Sequence, residues 1–173
     1  MSKQTNVATE KENTNGKLKL PVRAIAAGAV VIVLIVIALL VESANTKRIV
    51  IENDTDKDIE SVRLYFENSD EDYFFMSEDL VNTPVAAGEK YTGSFQPQTN
   101  IAAPGYFLMI RVKFAGEEEI ETYAGYFTRI FTGKISLDFT QKDDNVLMGI
   151  KAGDGLFNST KYTDCDEEQE LYE

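Results

Sequence analysis

The sequence predicts a mainly β chain, an antiparallel β-sandwich of about six to eight short strands preceded by a single N-terminal transmembrane helix. Three observations predict it. Ala24 to Val41 is an 18-residue run with no charge and no proline. At the helical rise it covers about 27 Å, close to the roughly 30 Å hydrocarbon core of a bilayer. Beyond it the apolar period changes to two, the repeat of a strand with one buried face. No later stretch carries apolar residues at the three- and four-residue spacing of an amphipathic helix.

Twelve positions of the apolar run are Val, Ile or Leu, which together favour insertion by on the order of 4 to 7 kcal/mol. A cleavable signal peptide is the competing reading. It needs a shorter apolar region ending at a small-x-small site, and a cut after Ser43 and Ala44 leaves Glu42 at the third position before it. The run is therefore expected to stay as an anchor. Lys3, Lys11, Lys17, Lys19 and Arg23 against Glu10 and Glu12 give residues 1–23 a charge of +3, which keeps the amino terminus in the cytoplasm. The expected organisation is a short cytoplasmic tail over 1–21, a transmembrane signal anchor over 22–42, an extracytoplasmic β-sandwich over 43–151 and an acidic, disordered tail over 152–173. The expected location is the cell membrane, single-pass, with the bulk outside.

Past the anchor the strands read off in order. Ile49 and Ile51 alternate with Arg48, Val50 and Glu52, and Val62, Leu64 and Phe66 with Arg63, Tyr65 and Glu67. Tyr73 to Met76 and Lys90 to Phe95 add short strands. Gln96 to Gly105, with Pro97 and Pro104, is a loop. Tyr106 to Phe114 and Glu118 to Phe127 flank Ala115-Gly116-Glu117 as a β-hairpin, with Leu108, Ile110, Val112 and Phe114 on one side of its first strand. Ile135, Leu137 and Phe139 alternate with polar residues, and Val146, Met148 and Ile150 close the series after a turn at Asp143-Asp144-Asn145. The acidic run from Asp164 to Glu173 reads as a solvated tail.

Two turn segments carry a resemblance. Ile51-Glu52-Asn53-Asp54-Thr55-Asp56-Lys57-Asp58-Ile59-Glu60-Ser61-Val62 resembles the Asn-x-Thr-Gly-Lys-Asp-Ile-x-x-Val start of small exported β-sandwich domains of clostridia-like bacteria. Val85-Ala86-Ala87-Gly88-Glu89-Lys90-Tyr91 is similar to their Leu-x-Ala-Gly-Glu-x-Val turn. The match covers about 20 of the 173 residues, and Asp56 stands where that pattern has Gly. The resemblance implies an extracytoplasmic β-domain without known catalysis and brings no site residues.

Residues 45–173 hold 12 Lys and Arg against 26 Asp and Glu, a charge of −14. Such a surface repels phosphate backbones, which excludes nucleic acid and favours basic partners or cations. Asp54, Asp56 and Asp58 stand at the first, third and fifth positions of a calcium loop, but Ile59 occupies its glycine position and Tyr65 that of its bidentate glutamate. They remain candidate calcium ligands, and no other cofactor is expected. The chain has no histidine, which removes imidazole acid–base pairs, triads and metal sites. Glu119 and Glu121 lie on one hairpin strand as a solvated face, so no enzyme is expected. Cys165, between Asp164 and Asp166, is expected to be an exposed, unreactive thiol. Phe107, Tyr123 and Tyr126 with Glu118 and Glu119 make the candidate contact patch, aromatic anchors with a charged rim for a protein partner in the cell envelope. The expected role is a binding or assembly module, an accessory subunit of an envelope complex; a calcium-dependent adhesion or carbohydrate-binding domain is the alternative.

Overall fold

The computed structural model describes residues 22–44, 46–70, 73–98, 105–143, 145–155 and 157–171. The tail 1–21 lies outside the described residues, as do 99–104 of the expected loop and Asp144 of the expected turn. The chain divides into two units, with the boundary between Val36 and Ile37.

Helix α1, Val22–Ala44, is built from the apolar run and its flanks. From Val30 to Val41 its large aliphatic side chains are 43 to 65% exposed at consecutive positions, so no side of the helix faces a core of its own. Among the described residues no helix is long and apolar enough to cross a membrane; the unbroken stretch of α1 whose side chains are described runs from Gly28 to Val41.

The second unit is mainly β, with two antiparallel-rich sheets in a sandwich-like fold. One sheet joins β1 (Arg48–Asp54), β5 (Lys90–Ser94), β8 (Lys134–Lys142), β9 (Asn145–Gly153) and β10 (Asp166–Glu170) in the order β10-β9-β8-β1-β5. The other orders β3 (Tyr73–Met76), β2 (Ile59–Asp70), β6 (Tyr106–Phe114) and β7 (Ile120–Phe127), with β4 (Val81–Val85) also paired to β2. The inward positions expected from the alternation fill the core: Leu64, Leu108, Ile110, Val112, Ile135 and Leu137 are each 0% exposed. Their burial, at about 1.5 to 3 kcal/mol per large side chain, is what holds a domain without disulfides together.

Three expectations are corrected. Among the described residues there are ten strands rather than six to eight; the two not expected are β4 and β10, which carry no clean alternation: β4 reads Val-Asn-Thr-Pro-Val and β10 Asp-Glu-Glu-Gln-Glu. The pairing is not wholly antiparallel, since β1 runs parallel to β8 from Arg48–Lys134 to Asp54–Thr140; the second sheet supplies the long crossover that a parallel pair needs. Residues 152–171 are not a free tail. β9 continues to Gly153, Asp154 bridges Ser159, and β10 pairs antiparallel with β9 from Asp166–Lys151 to Glu170–Leu147. The charge run dictates that these side chains stay in water, and an edge strand allows that while its backbone bonds to β9. Cys165 is fully buried in the core beside it.

The pairings give the domain two ends. At one, Lys47 N–H donates to Thr132 O at 2.7 Å and Lys47 O accepts from Phe95 N–H at 3.1 Å, where β1 and β8 begin and β5 and β9 end. Phe131 lies there between the sheets, with ring centroids 5.8 Å from Phe95, 5.3 Å from Phe127 and 6.4 Å from Phe66. The opposite end holds the β1–β2, β4–β5, β6–β7 and β8–β9 turns, and Phe114 meets Phe139 beneath them at 5.9 Å.

Candidate recognition face

The outer face of the sheet containing β2, β6 and β7 is divided along its length. Toward the turns it is a charge ladder: Lys57 pairs with Glu117, Lys113 with Glu60, Arg111 with Glu121, and Arg63 with Asp79 at 2.6 Å. Tyr65 points outward yet is only 1% exposed. The guanidinium groups of Arg63 and Arg111 lie 5.2 and 5.5 Å from its ring centroid, and its hydroxyl donates to Glu121 Oε2 at 3.2 Å. Burial, with the Glu121 charge second, pushes the Tyr65 phenol up. In this half each of the four basic side chains has an acidic partner.

Toward the Lys47 end the same face is aromatic. Glu67 stands opposite Phe107 on one side and Met76 on the other, and Met109 stands opposite Tyr123. Phe74 follows on β3, 66% exposed, with Tyr123 60%, Met76 46% and Tyr126 40% exposed. Phe107 meets Tyr123 edge-on and Tyr126 at a tilt, both with centroids 5.4 Å apart. Between them opens a depression of about 300 Å³ lined by Glu67, Phe107, Met109 and Tyr123. Among the described residues Glu67 forms no ion pair, so the depression carries one uncompensated carboxylate beside aromatic rings.

A β-bulge brings Tyr126 to this face. Leu108 faces Ala124 and Tyr106 faces Phe127, so β7 fits one extra residue into the interval. Gly125, at φ +62°, absorbs it, and a Cβ there would lie 2.5 Å from Cys165 Cβ and 2.6 Å from Thr163 O. Beyond the bulge the faces are exchanged, and Tyr126 is exposed while Phe127 is fully buried. Strict alternation would have done the reverse.

The structure thus gathers Phe107, Tyr123 and Tyr126. It does not join them to Glu118 and Glu119, which lie in the β6–β7 connection at the opposite end, roughly 20 Å along the strand from Tyr126. The charged rim expected around the aromatics is therefore replaced by Glu67, which strand alternation in β2 marks as outward, and by Met76 and Phe74 of β3. Missing them follows from the pairing, since which strand lies beside β6 is not written in β6. Asp54, Asp56 and Asp58 are exposed in the β1–β2 turn, where the Asp58 carboxylate accepts from Ala87 N–H at 2.8 Å. Among the described residues no group of three or more His, Cys, Asp or Glu side chains is placed to share an ion. Cys165, expected exposed, is buried, and burial first and the Glu167 charge second push its thiol up to about 12. It is an inert core residue rather than a nucleophile.

A second depression, of about 440 Å³, lies at the Lys47 end among Thr46, Arg129, Thr132, Asp154, Ser159 and Tyr162. Arg129 Nη2 donates to Asp154 Oδ2 at 2.8 Å and its guanidinium lies 3.7 Å from the Tyr162 ring centroid. Its charge is compensated internally, unlike that of Glu67.

Compared with protein-family models, curated proteins and solved structures, the chain matches none.

Proposed function

We propose that this chain is a membrane-anchored extracytoplasmic binding or assembly module, an accessory subunit of a cell-envelope protein complex that meets its protein partner on the aromatic half of the β2–β6–β7 face. The observation that carries the reading is the exposure of Phe74, Met76, Tyr123 and Tyr126 together around a depression with one unpaired carboxylate. Single exposed apolar side chains are ordinary, whereas a contiguous group with aromatic anchors is how interface centres are built. The group it best receives is a lysine or arginine side chain of a basic partner, drawn by the Glu67 charge and by the ring faces of Phe107 and Tyr123. The anchor part of the reading rests on the uncharged run Ala24 to Val41 and on the basic flank before it. The role is non-catalytic: the chain has no histidine and its one thiol is buried.

Site-specific photocrosslinking in the native membrane tests the face. A benzophenone side chain at Tyr123 should capture a protein, while the same group at Asp138, exposed on the outer face of the other sheet, should not. Equal capture from both positions, or capture from Asp138 alone, places recognition elsewhere and leaves the aromatic face without a partner.

A further inference from the structure

At two places in the β domain a cation lies against an aromatic ring and is held by a carboxylate, and at both the cation is arginine. The guanidinium groups of Arg63 and Arg111 lie 5.2 and 5.5 Å from the Tyr65 ring centroid, while Arg63 Nε donates to Asp79 Oδ1 at 2.6 Å and Arg111 Nε to Glu121 Oε2. Arg129 repeats the arrangement, 3.7 Å from the Tyr162 centroid with its Nη2 on Asp154 Oδ2 at 2.8 Å. The ion-paired lysines Lys57, Lys90, Lys113 and Lys151 lie over no ring among the described residues. The division has a physical cause. A guanidinium is flat, so it rests on a ring while the N–H groups in its plane reach a carboxylate; an ammonium spreads its donors in three directions, and a ring leaves some of them unanswered.

The aromatic half of the β2–β6–β7 face holds a ring and a carboxylate without the arginine. Glu67 lies two residues beyond Tyr65 on the outward side of β2, directly opposite Phe107. On β6, Arg111 stands between Arg63 and Glu121, whereas Met109, in the next outward row, stands between Tyr65 and Tyr123 and brings no charge. The depression of about 300 Å³ that Glu67, Phe107, Met109 and Tyr123 line is at the lower end of small-ligand sites. The described charges around it do not fill the gap. Arg63 and Arg111 are held by Asp79 and Glu121. Glu167, at the β7 margin, accepts from Gly125 N–H at 3.0 Å and adds a further negative charge.

We infer that this depression receives an arginine side chain of the protein partner, its guanidinium against the Phe107 or Tyr123 ring and its N–H groups on Glu67. The inference rests on the recognition role proposed for the face and narrows its ligand from a cationic side chain to a guanidinium.

Of the four methionines, Met109 lines the depression and Met148 is fully buried in the core. Methyl signals of the full-length protein in detergent micelles, with isotope-labelled methionine, therefore report site and fold separately. The probes are the Nα-acetyl amides of arginine, lysine and citrulline, the last a neutral isostere of the first. The arginine compound should move the Met109 signal saturably and leave Met148 in place, with the lysine compound bound about fivefold more weakly and citrulline giving no saturable shift. Glu67→Gln should weaken arginine binding about tenfold with Met148 unmoved, and Tyr123→Leu, at an exposed position, should weaken it severalfold. Lysine binding as tight as that of arginine means that the depression reads charge alone and overturns the inference. A citrulline shift equal to that of arginine, or unchanged binding in Glu67→Gln, overturns it as well. If a benzophenone at Tyr123 captures a protein while arginine leaves Met109 unmoved, the arginine site is rejected and the recognition face stands; if neither responds, both fall.

Discussion

Asn53 shows how one buried polar side chain ties distant turns together. It is fully buried, its amide nitrogen donates to Lys57 O at 2.9 Å and to Val85 O and Ala86 O at 3.1 Å, and its oxygen accepts from Thr55 Oγ1 at 2.7 Å. The β1–β2 and β4–β5 turns are joined by these bonds, so the Asx-turn chemistry of Asn53-Asp54-Thr55 serves tertiary structure as much as the local bend. The same bonds engage the nitrogen that the Asn-x-Thr pattern would offer to a glycan. Cys165 is the other residue whose environment changes its chemistry. Its folded pKa, about 12, lies above the roughly 8.5 of a free thiol. The folded state therefore holds the proton more tightly. The stability it contributes is complete below about pH 8.5 and declines as pH rises toward 12, by up to about 1.4 kcal/mol per unit. Urea midpoints measured across this range should fall more steeply for the parent than for Cys165→Ala, and a thiol reagent at pH 8 should label the native protein only as it unfolds. Rapid labelling of the folded chain would show that the thiol is open to solvent.

Among the elements, β10 closes the domain. β7 is an edge of its sheet, and its outer side is met by the segment leading into β10: Tyr126 N–H donates to Thr163 O at 2.6 Å, Thr128 N–H to Tyr162 O at 3.1 Å, and Gln169 Nε2 to Tyr123 O at 2.9 Å. One short segment thus pairs with β9 in one sheet and caps β7 of the other, while its acidic side chains keep its own free edge from pairing with a second molecule. Ending the chain after Thr160 should remove Cys165 and Leu171 from the core as well as these bonds. The melting temperature is expected to fall by on the order of 10 °C or more in a thermal scan. An unchanged melting temperature would mean that the segment only decorates a core complete without it.

On the scale of the whole β domain, the acidic turns and the exposed rings lie toward opposite ends. Acidic turns gather at one end, and exposed rings gather at the end where the chain comes in through Lys47. The membrane topology proposed for the chain is open to a direct measurement. Protease added to intact cells should degrade the β domain and spare an amino-terminal tag. A mature chain beginning near Asn45 would show that the apolar run is removed and that the domain is released.

What the sequence by itself determined is which side chains leave water. The period of two marked the inward positions of β2, β6, β8 and β9 correctly, because burial on one face of a pleated strand is a local property of side-chain order. Phe107 and Tyr123 face outward as alternation has them, whereas Tyr126 does so only because of the bulge at Gly125, which alternation does not count. What the tertiary structure alone decided is which strands lie side by side. The parallel pairing of β1 with β8, the seat of β10 on β9, the burial of Tyr65 under Arg63 and Arg111, and the separation of Glu118 and Glu119 from the rings all depend on partners far away in sequence. Every residue but proline carries the same backbone N–H and C=O groups, so an acidic edge strand can pair without an apolar face of its own. Pairing leaves no mark in composition, and it appears only when the core has brought the edges together.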